Sequence, residues 1–185
     1  MNFNQHYNLQ GKHAFMSASS NSWLNYDSHK LRLVYANNLK KQEGTKLHEF
    51  ASEAIKLRIK LHPLKKALHM FVNDAIGFGM ESEVVLYYSD NCFGTADAIL
   101  FKDNVLRIHD LKTGVSKVNF KQLDVYTALF CLEYGVAPTD IEIEQRLYQG
   151  KDCMINIPDP NDILYVMDKI ISFDMELEDL KLSLR

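Results

Sequence analysis

Three strand-like runs follow one another with almost no chain between them: EVVLYY from Glu83, CFGTADAILF from Cys92 and NVLRIHDLK ending at Lys112. Only the turn-forming SDN and KDN separate them. Connections that short join antiparallel neighbours, because a parallel return needs a crossover of a dozen or more residues. The centre of the chain is therefore expected to hold three successive strands, the last two able to pair as antiparallel neighbours across the KDN turn. Two of its strands carry charge where burial is expected: Asp97 in the first case, Asp110 and Lys112 in the second. Ionised groups on a buried strand are costly unless they are paired or hold a metal.

The flanking segments read as helices. After Gly44, TKLHEFASEAIKLRIKL places Leu47, Phe50, Ala51, Ala54 and Leu57 at the period of an amphipathic helix. His62-Pro63 is expected to end it and to open a second helix running to about Gly77. A long helix is expected from about Val118 to Tyr134, closed by Gly135. IEIEQRLYQ alternates like a strand with one wet face, and a short strand is expected from Cys153 to Ile157. An amphipathic helix from about Asp162 finishes the chain. Before all of these, SASSNSWLNY suggests a short helix entered through a serine. The order is helix, three strands, helix, strand, with additions at both ends. It implies an α/β fold with a mixed central sheet flanked by helices, extended by N-terminal and C-terminal helices.

At 185 residues the chain suits one domain spanning 1–185. No apolar run reaches membrane-spanning length, and the polar start lacks a signal-peptide core, so a cytoplasmic protein without a membrane partner is expected. Cys92, Cys131 and Cys153 are scattered, odd in number and form no CxxC pair, which fits reduced thiols. The net charge of −3 hides an asymmetry. Ten Lys/Arg and three Glu give Lys30–Lys66 a charge of +7, leaving −10 elsewhere. A basic face on an acidic body suits a polyanion partner, and a merely solvated lysine surface would read the same way.

Alternation along a strand points Asp110 and Lys112 the same way, with Leu106 and Ile108, and turns His109 and Leu111 to the other face. If the KDN turn pairs the two runs, Asp97 lies across from Asp110 and Lys112. Two carboxylates and an ammonium on a few ångströms of sheet suit a hard divalent cation such as Mg²⁺, or else a structural ion pair. His48 falls at the border of its helix's apolar face, where it is either a further ligand or a packed side chain. His109 reads as a packing or surface residue, and His62 and His69 as exposed. Arg146 either reaches a polyanion or pairs with Glu144. The stripe Ile163, Val166, Met167, Ile170 and Ile171 reads as core cover rather than a partner surface.

Four short motifs stand in order: Gly44-x-x-x-His48, Gly94-Thr95-Ala96-Asp97, Asp110-Leu111-Lys112 and Gln122-x-x-x-Tyr126. Together they resemble the PD-(D/E)XK nuclease superfamily, in its RecB-like and phage exonuclease branch. The resemblance implies a restriction-endonuclease-like αβββαβ core, with core motifs over 44–149. It implies a metal-dependent deoxyribonuclease, using Mg²⁺ or Mn²⁺ held by Asp97, Asp110, His48 and the backbone carbonyl of Leu111. Lys112 would serve the nucleophilic water, while Gln122 and Tyr126 would orient the site or the DNA end. DNA is the implied partner, with Lys40, Lys41, Lys65 and Lys66 as the expected phosphate contacts. A recombination partner protein and a homo-oligomer also belong to what such relatives do. Ala96 stands at the family's nominal proline and Asp110 where many members have Glu. Three scattered cysteines exclude the four-cysteine iron–sulfur branch. The alternative is a nuclease-fold module that binds DNA or protein with little or no catalysis.

Overall fold

A computed structural model describes residues 14–18, 21–114 and 117–184. The chain falls into two compact units, Met1–Thr45 and Lys46–Arg185, with the division inside the first helix. In the smaller unit a 3-10 turn, Asn21–Asn25, precedes that helix. Trp23 donates its indole N–H to the Ser17 carbonyl (2.9 Å), and Phe15 meets Tyr35 edge to face at 5.0 Å.

The first helix, α1 (Ser28–Lys56), starts well before the expected boundary and runs straight through Gly44. Asp27 begins it: its carboxylate accepts the Lys30 backbone N–H at 2.7 Å, the work of an N-cap. A glycine inside a helix costs only about 1 kcal/mol relative to alanine, which twenty-eight helical neighbours absorb. The helix also ends earlier than Pro63. Arg58 adopts a left-handed φ of 55°, and Ile59 N–H reaches back to the Ala54 carbonyl (2.9 Å), closing a Schellman turn. The second helix, α2 (Ala67–Phe78), begins where the Ala67 N–H meets the Gly150 carbonyl.

The meander follows as β1 (Glu81–Ser89), β2 (Cys92–Lys102) and β3 (Val105–Lys112). Then come α3 (Lys121–Tyr134), capped by left-handed Gly135, β4 (Glu142–Gln149), β5 (Asp152–Asn156) and α4 (Pro160–Ser183). One five-stranded sheet results, in the order β1-β2-β3-β4-β5. All pairings are antiparallel except β3 with β4, which α3 connects as a crossover. The fold is α/β, with the expected order of elements and a mixed sheet between helices. No described helix is long and apolar enough to cross a membrane.

Two apolar layers sandwich the sheet. On one face Ala51 and Ile55 of α1 and Phe71, Val72 and Ala75 of α2 pack on Ala98, Leu111 and Tyr148. On the other, Leu123, Leu129 and Phe130 of α3 cover Leu86, Ala96, Ile99, Leu106, Ile108 and Leu147. Ile163 of α4 is fully buried, with Val166, Met167 and Ile170 packed beside it, so that stripe is core cover. Phe50 and Leu57 are exposed, contrary to their expected place in the apolar stripe of α1. The buried stripe there runs through Ala51, Ser52, Ala54 and Ile55 instead.

The first hairpin changes its inward face partway along. Ser82 bonds Ser52 of α1 and Ala98 packs on the α1–α2 layer, yet Val84 and Ala96 pack under α3. Residues two apart on a strand ordinarily share a face. Between these pairs stand Glu83, in a left-handed φ of 54°, and Asp97. No ladder pairing joins the two. The regular alternation slips there, and the candidate site is at that slip.

Candidate metal and phosphate site

β2 and β3 are in register from Lys102 opposite Val105 to Ala98 opposite His109, and no further. Past that point the Asp97 carboxylate fills the gap, accepting the Leu111 backbone N–H at 2.8 Å. A side chain thus takes over the ladder's role, and the strands splay. His48 Nδ1 lies 3.4 Å from the same Asp97 oxygen. His48 stands three residues before Ala51 and seven before Ile55, half-buried beside the buried stripe of α1, which agrees with its expected place at the border. Its hydrogen bond to Asp97 raises the imidazole pKa above the ordinary value, and burial opposes the shift.

Glu83 completes this side. Donor atoms of His48, Glu83 and Asp97 all lie within 4.8 Å of one another. Burial raises the Glu83 pKa, and the Asp97 charge adds to it. Reading the sequence did not single out Glu83, because an acid opening a strand looks like an ordinary solvated end. Its left-handed backbone depends on a face change that residue alternation does not reveal.

Asp110 approaches from β3. Only 4% of its side chain is exposed. Burial first, then the Asp97 charge, pushes its pKa up, and Lys112 pulls against both. Lys112 Nζ donates to Oδ1 at 3.1 Å and sits 2.9 Å from Oδ2 without the alignment of a hydrogen bond. The buried Oδ2 therefore keeps unfilled lone pairs. The ammonium's shorter bond is to Gln122 Oε1 at 2.6 Å, and Gln122 Nε2 donates in turn to the Tyr126 hydroxyl at 3.1 Å. A relay from Asp110 through Lys112 and Gln122 to Tyr126 thus crosses from β3 to α3. Burial raises the Tyr126 pKa, so its hydroxyl stays protonated at neutral pH.

Gly94 seats this tyrosine. A Cβ on Gly94 would lie 2.9 Å from Tyr126 Cε1, closer than side chains tolerate, so the ring crosses bare backbone. The motifs at 48, 94–97, 110–112 and 122–126 are therefore brought together in one place.

The remaining expected residues lie elsewhere. Lys40 and Lys41 are exposed on α1 in the smaller unit, and Lys65 and Lys66 are exposed just before α2 in the larger one. Leu111 buries its side chain in the α1–α2 layer. His62 is exposed, whereas His69 is half-buried with Nδ1 2.7 Å from the His62 carbonyl oxygen.

His109 has turned away from Asp110, as expected, but it is fully buried. Desolvation, with Arg146 and Arg107 nearby, lowers its pKa from 6.5 to about 3. Tyr148 donates its proton to Asp74 (2.8 Å), leaving the phenol oxygen to accept from His109 Nδ1 at 3.3 Å. His109 Nε2 then stays unprotonated and without a partner among the described residues. Arg146 pairs with Glu144 (2.8 Å) and Asp74 (3.5 Å) and lies over the Phe78 ring. Of its two readings, the pairing with Glu144 is present.

Neither a curated protein nor a solved structure matches the chain. The stretch 79–181, which holds Glu83, Asp97, Asp110, Lys112, Gln122 and Tyr126 but not His48, matches the family described as Protein of unknown function (DUF2800), and the chain belongs to that family.

Proposed function

We propose that the chain is a metal-dependent deoxyribonuclease of the exonuclease type, hydrolysing DNA phosphodiester bonds with Mg²⁺ or Mn²⁺. The observation that carries this reading is the meeting of Asp97, Asp110 and Lys112 where β2 and β3 part, with His48 and Glu83 beside them. Three carboxylates against one ammonium leave surplus negative charge in a half-buried place. The unfilled Asp110 Oδ2 is aligned with no protein donor among the described residues. Carboxylate oxygens with one imidazole suit a hard or borderline divalent cation. His48, Glu83, Asp97 and Asp110 would hold it.

A bound divalent cation supplies Lewis acidity toward phosphoryl oxygen and makes a water more acidic. The chain's own groups account for the rest. Lys112, steadied by Gln122 and Asp110, offers fixed positive charge where negative charge develops on the phosphate. Gln122 and Tyr126 hold that ammonium in place and present a hydroxyl at the α3 side of the cleft. His48 is a ligand only when unprotonated, and Asp97 favours its proton. Metal affinity is therefore expected to rise with pH through the histidine's raised pKa.

End-labelled linear DNA with Mn²⁺, beside an EDTA control, tests the reading. Metal-dependent shortening that disappears in Asp110→Asn supports it. Intact DNA despite calorimetric Mn²⁺ binding would instead make the chain a binding module. Neither cleavage nor metal binding would reduce the cluster to a structural ion pair.

A further inference from the structure

Beyond the slip at Glu83 and Asp97, the β1–β2 hairpin keeps one face bare. Val85, Tyr87 and Phe93 are 55%, 45% and 61% exposed, while Val84, Leu86 and Ala96 on the opposite face lie under α3. The register sets Tyr87 opposite Phe93 and Val85 opposite Thr95, the pairs next along from Glu83 and Asp97. Two-residue alternation puts Phe93 and Thr95 in one row, which runs up to the slip at Asp97. The two aromatic rings thus lie four residues, or about 13 Å along the strand, from the Asp97 carboxylate.

The rings are nearly parallel, 26° apart with centroids at 6.4 Å. The Tyr87 hydroxyl donates to Asp90 at 2.9 Å, which fixes that ring at the turn end. Two flat π faces side by side, open to solvent and within a few residues of the proposed phosphodiester site, match the faces of nucleobases. A duplex hides its base faces in its own stack, whereas a single strand presents them. Asp90 and Asp174 lie near Tyr87 and disfavour phosphates there, so the contact is with bases and is short.

We propose that Tyr87 and Phe93 form a stacking platform for bases of single-stranded DNA flanking the bond to be cut. This inference rests on the nuclease reading and names its substrate class, single strands or frayed ends rather than intact duplex.

Fluorescence anisotropy of a labelled oligothymidylate in EDTA tests it, comparing the parent with Tyr87→Leu/Phe93→Leu. Both positions are exposed, and leucine keeps their apolar character. The double variant is expected to bind roughly tenfold to a hundredfold more weakly, the size of stacking contributions. Phe93→Trp is expected to retain full affinity. Binding to a blunt duplex and calorimetric Mn²⁺ affinity are expected to be unchanged. Equal oligothymidylate affinity in parent and double variant overturns the platform, even where Mn²⁺-dependent cleavage persists. A dimer that the leucine variant dissociates, measured by sedimentation, overturns it too, because the face then joins two copies. Ring-dependent binding without metal-dependent cleavage defeats the nuclease reading instead and leaves a single-strand binding surface.

Discussion

Strand β3 carries a polar cluster on each of its faces, and the two are built on opposite principles. Toward α2, Arg107 and Arg146 meet Glu144 and Asp74, Tyr148 gives its proton to Asp74, and His109 is held neutral. Positive and negative groups balance, and the arginines lie over Phe78. Toward α3 and the splayed end of β2, three carboxylates share one lysine and a histidine. Burial raises the pKa of Asp110 and of the more exposed Glu83, so ionising the buried Asp110 costs stability there. A cluster that serves the fold neutralises itself. One that keeps unbalanced charge at a cost fits the proposal of a ligand that arrives from solution.

The sharpest break between the two clusters is expected at Asp110. Asp110→Asn should reduce Mn²⁺-dependent cleavage to background, because it removes a charged ligand from a hard-cation site. A carboxylate whose folded pKa lies above its unfolded one weakens the fold increasingly as pH rises past the unfolded value. The asparagine protein should therefore melt no lower than the parent at neutral pH in EDTA. A clearly lower Tm with activity intact would place Asp110 among the structural residues.

Next in size, Lys112→Met should cut single-turnover cleavage about a hundredfold, as for losing one electrostatic stabiliser. Mn²⁺ binding by calorimetry should survive, since the carboxylates remain. Unchanged turnover would take the ammonium out of the chemistry.

Across the strand the pattern should invert. Arg146→Met removes one of the two partners of Glu144 and of Asp74, and is expected to cost about 2 kcal/mol in urea unfolding. That figure is below the usual penalty for breaking a fully buried pair because Asp74 is partly exposed. Cleavage per folded molecule should not change. A large loss of activity at full stability would mean that the two clusters are not separate in function.

The smallest effect concerns pH. The folded-state pKa of His109 is depressed, so the unfolded chain binds the extra proton first, and stability falls as pH drops below 6.5. Its share of that loss is about 1.4 kcal/mol by pH 5.5. His109→Phe fills similar volume between Phe78 and Tyr148 and cannot be charged. Its melting temperature should fall less between pH 7 and pH 5.5 than the parent's. Parallel pH profiles would show that His109 is not held neutral.

Local patterns carried the three central strands, α3 and β4 because turns, glycine stops and alternation are properties of neighbouring residues. Gln122 and Tyr126 were legible only through the motif resemblance, whereas Asp97, Asp110 and Lys112 of the candidate site were readable as charge on strands. Glu83 was not, since it matters only through the left-handed backbone and face change that tertiary packing imposes. His109 was placed on its face but not in its surroundings, which depend on Tyr148, thirty-nine residues away on a parallel neighbour. The length of α1 was hidden by Gly44, a local stop signal overridden by the helix on both sides of it.

The Leu111 amide hydrogen points at the Asp97 carboxylate, not at a strand carbonyl. Its chemical shift and exchange rate depend on how much charge that oxygen carries and how that charge is shared. A cation drawing on Asp97 would weaken the bond. The backbone of β3 thus contains a reporter of the carboxylate's state, readable by NMR from a single amide before any DNA is added.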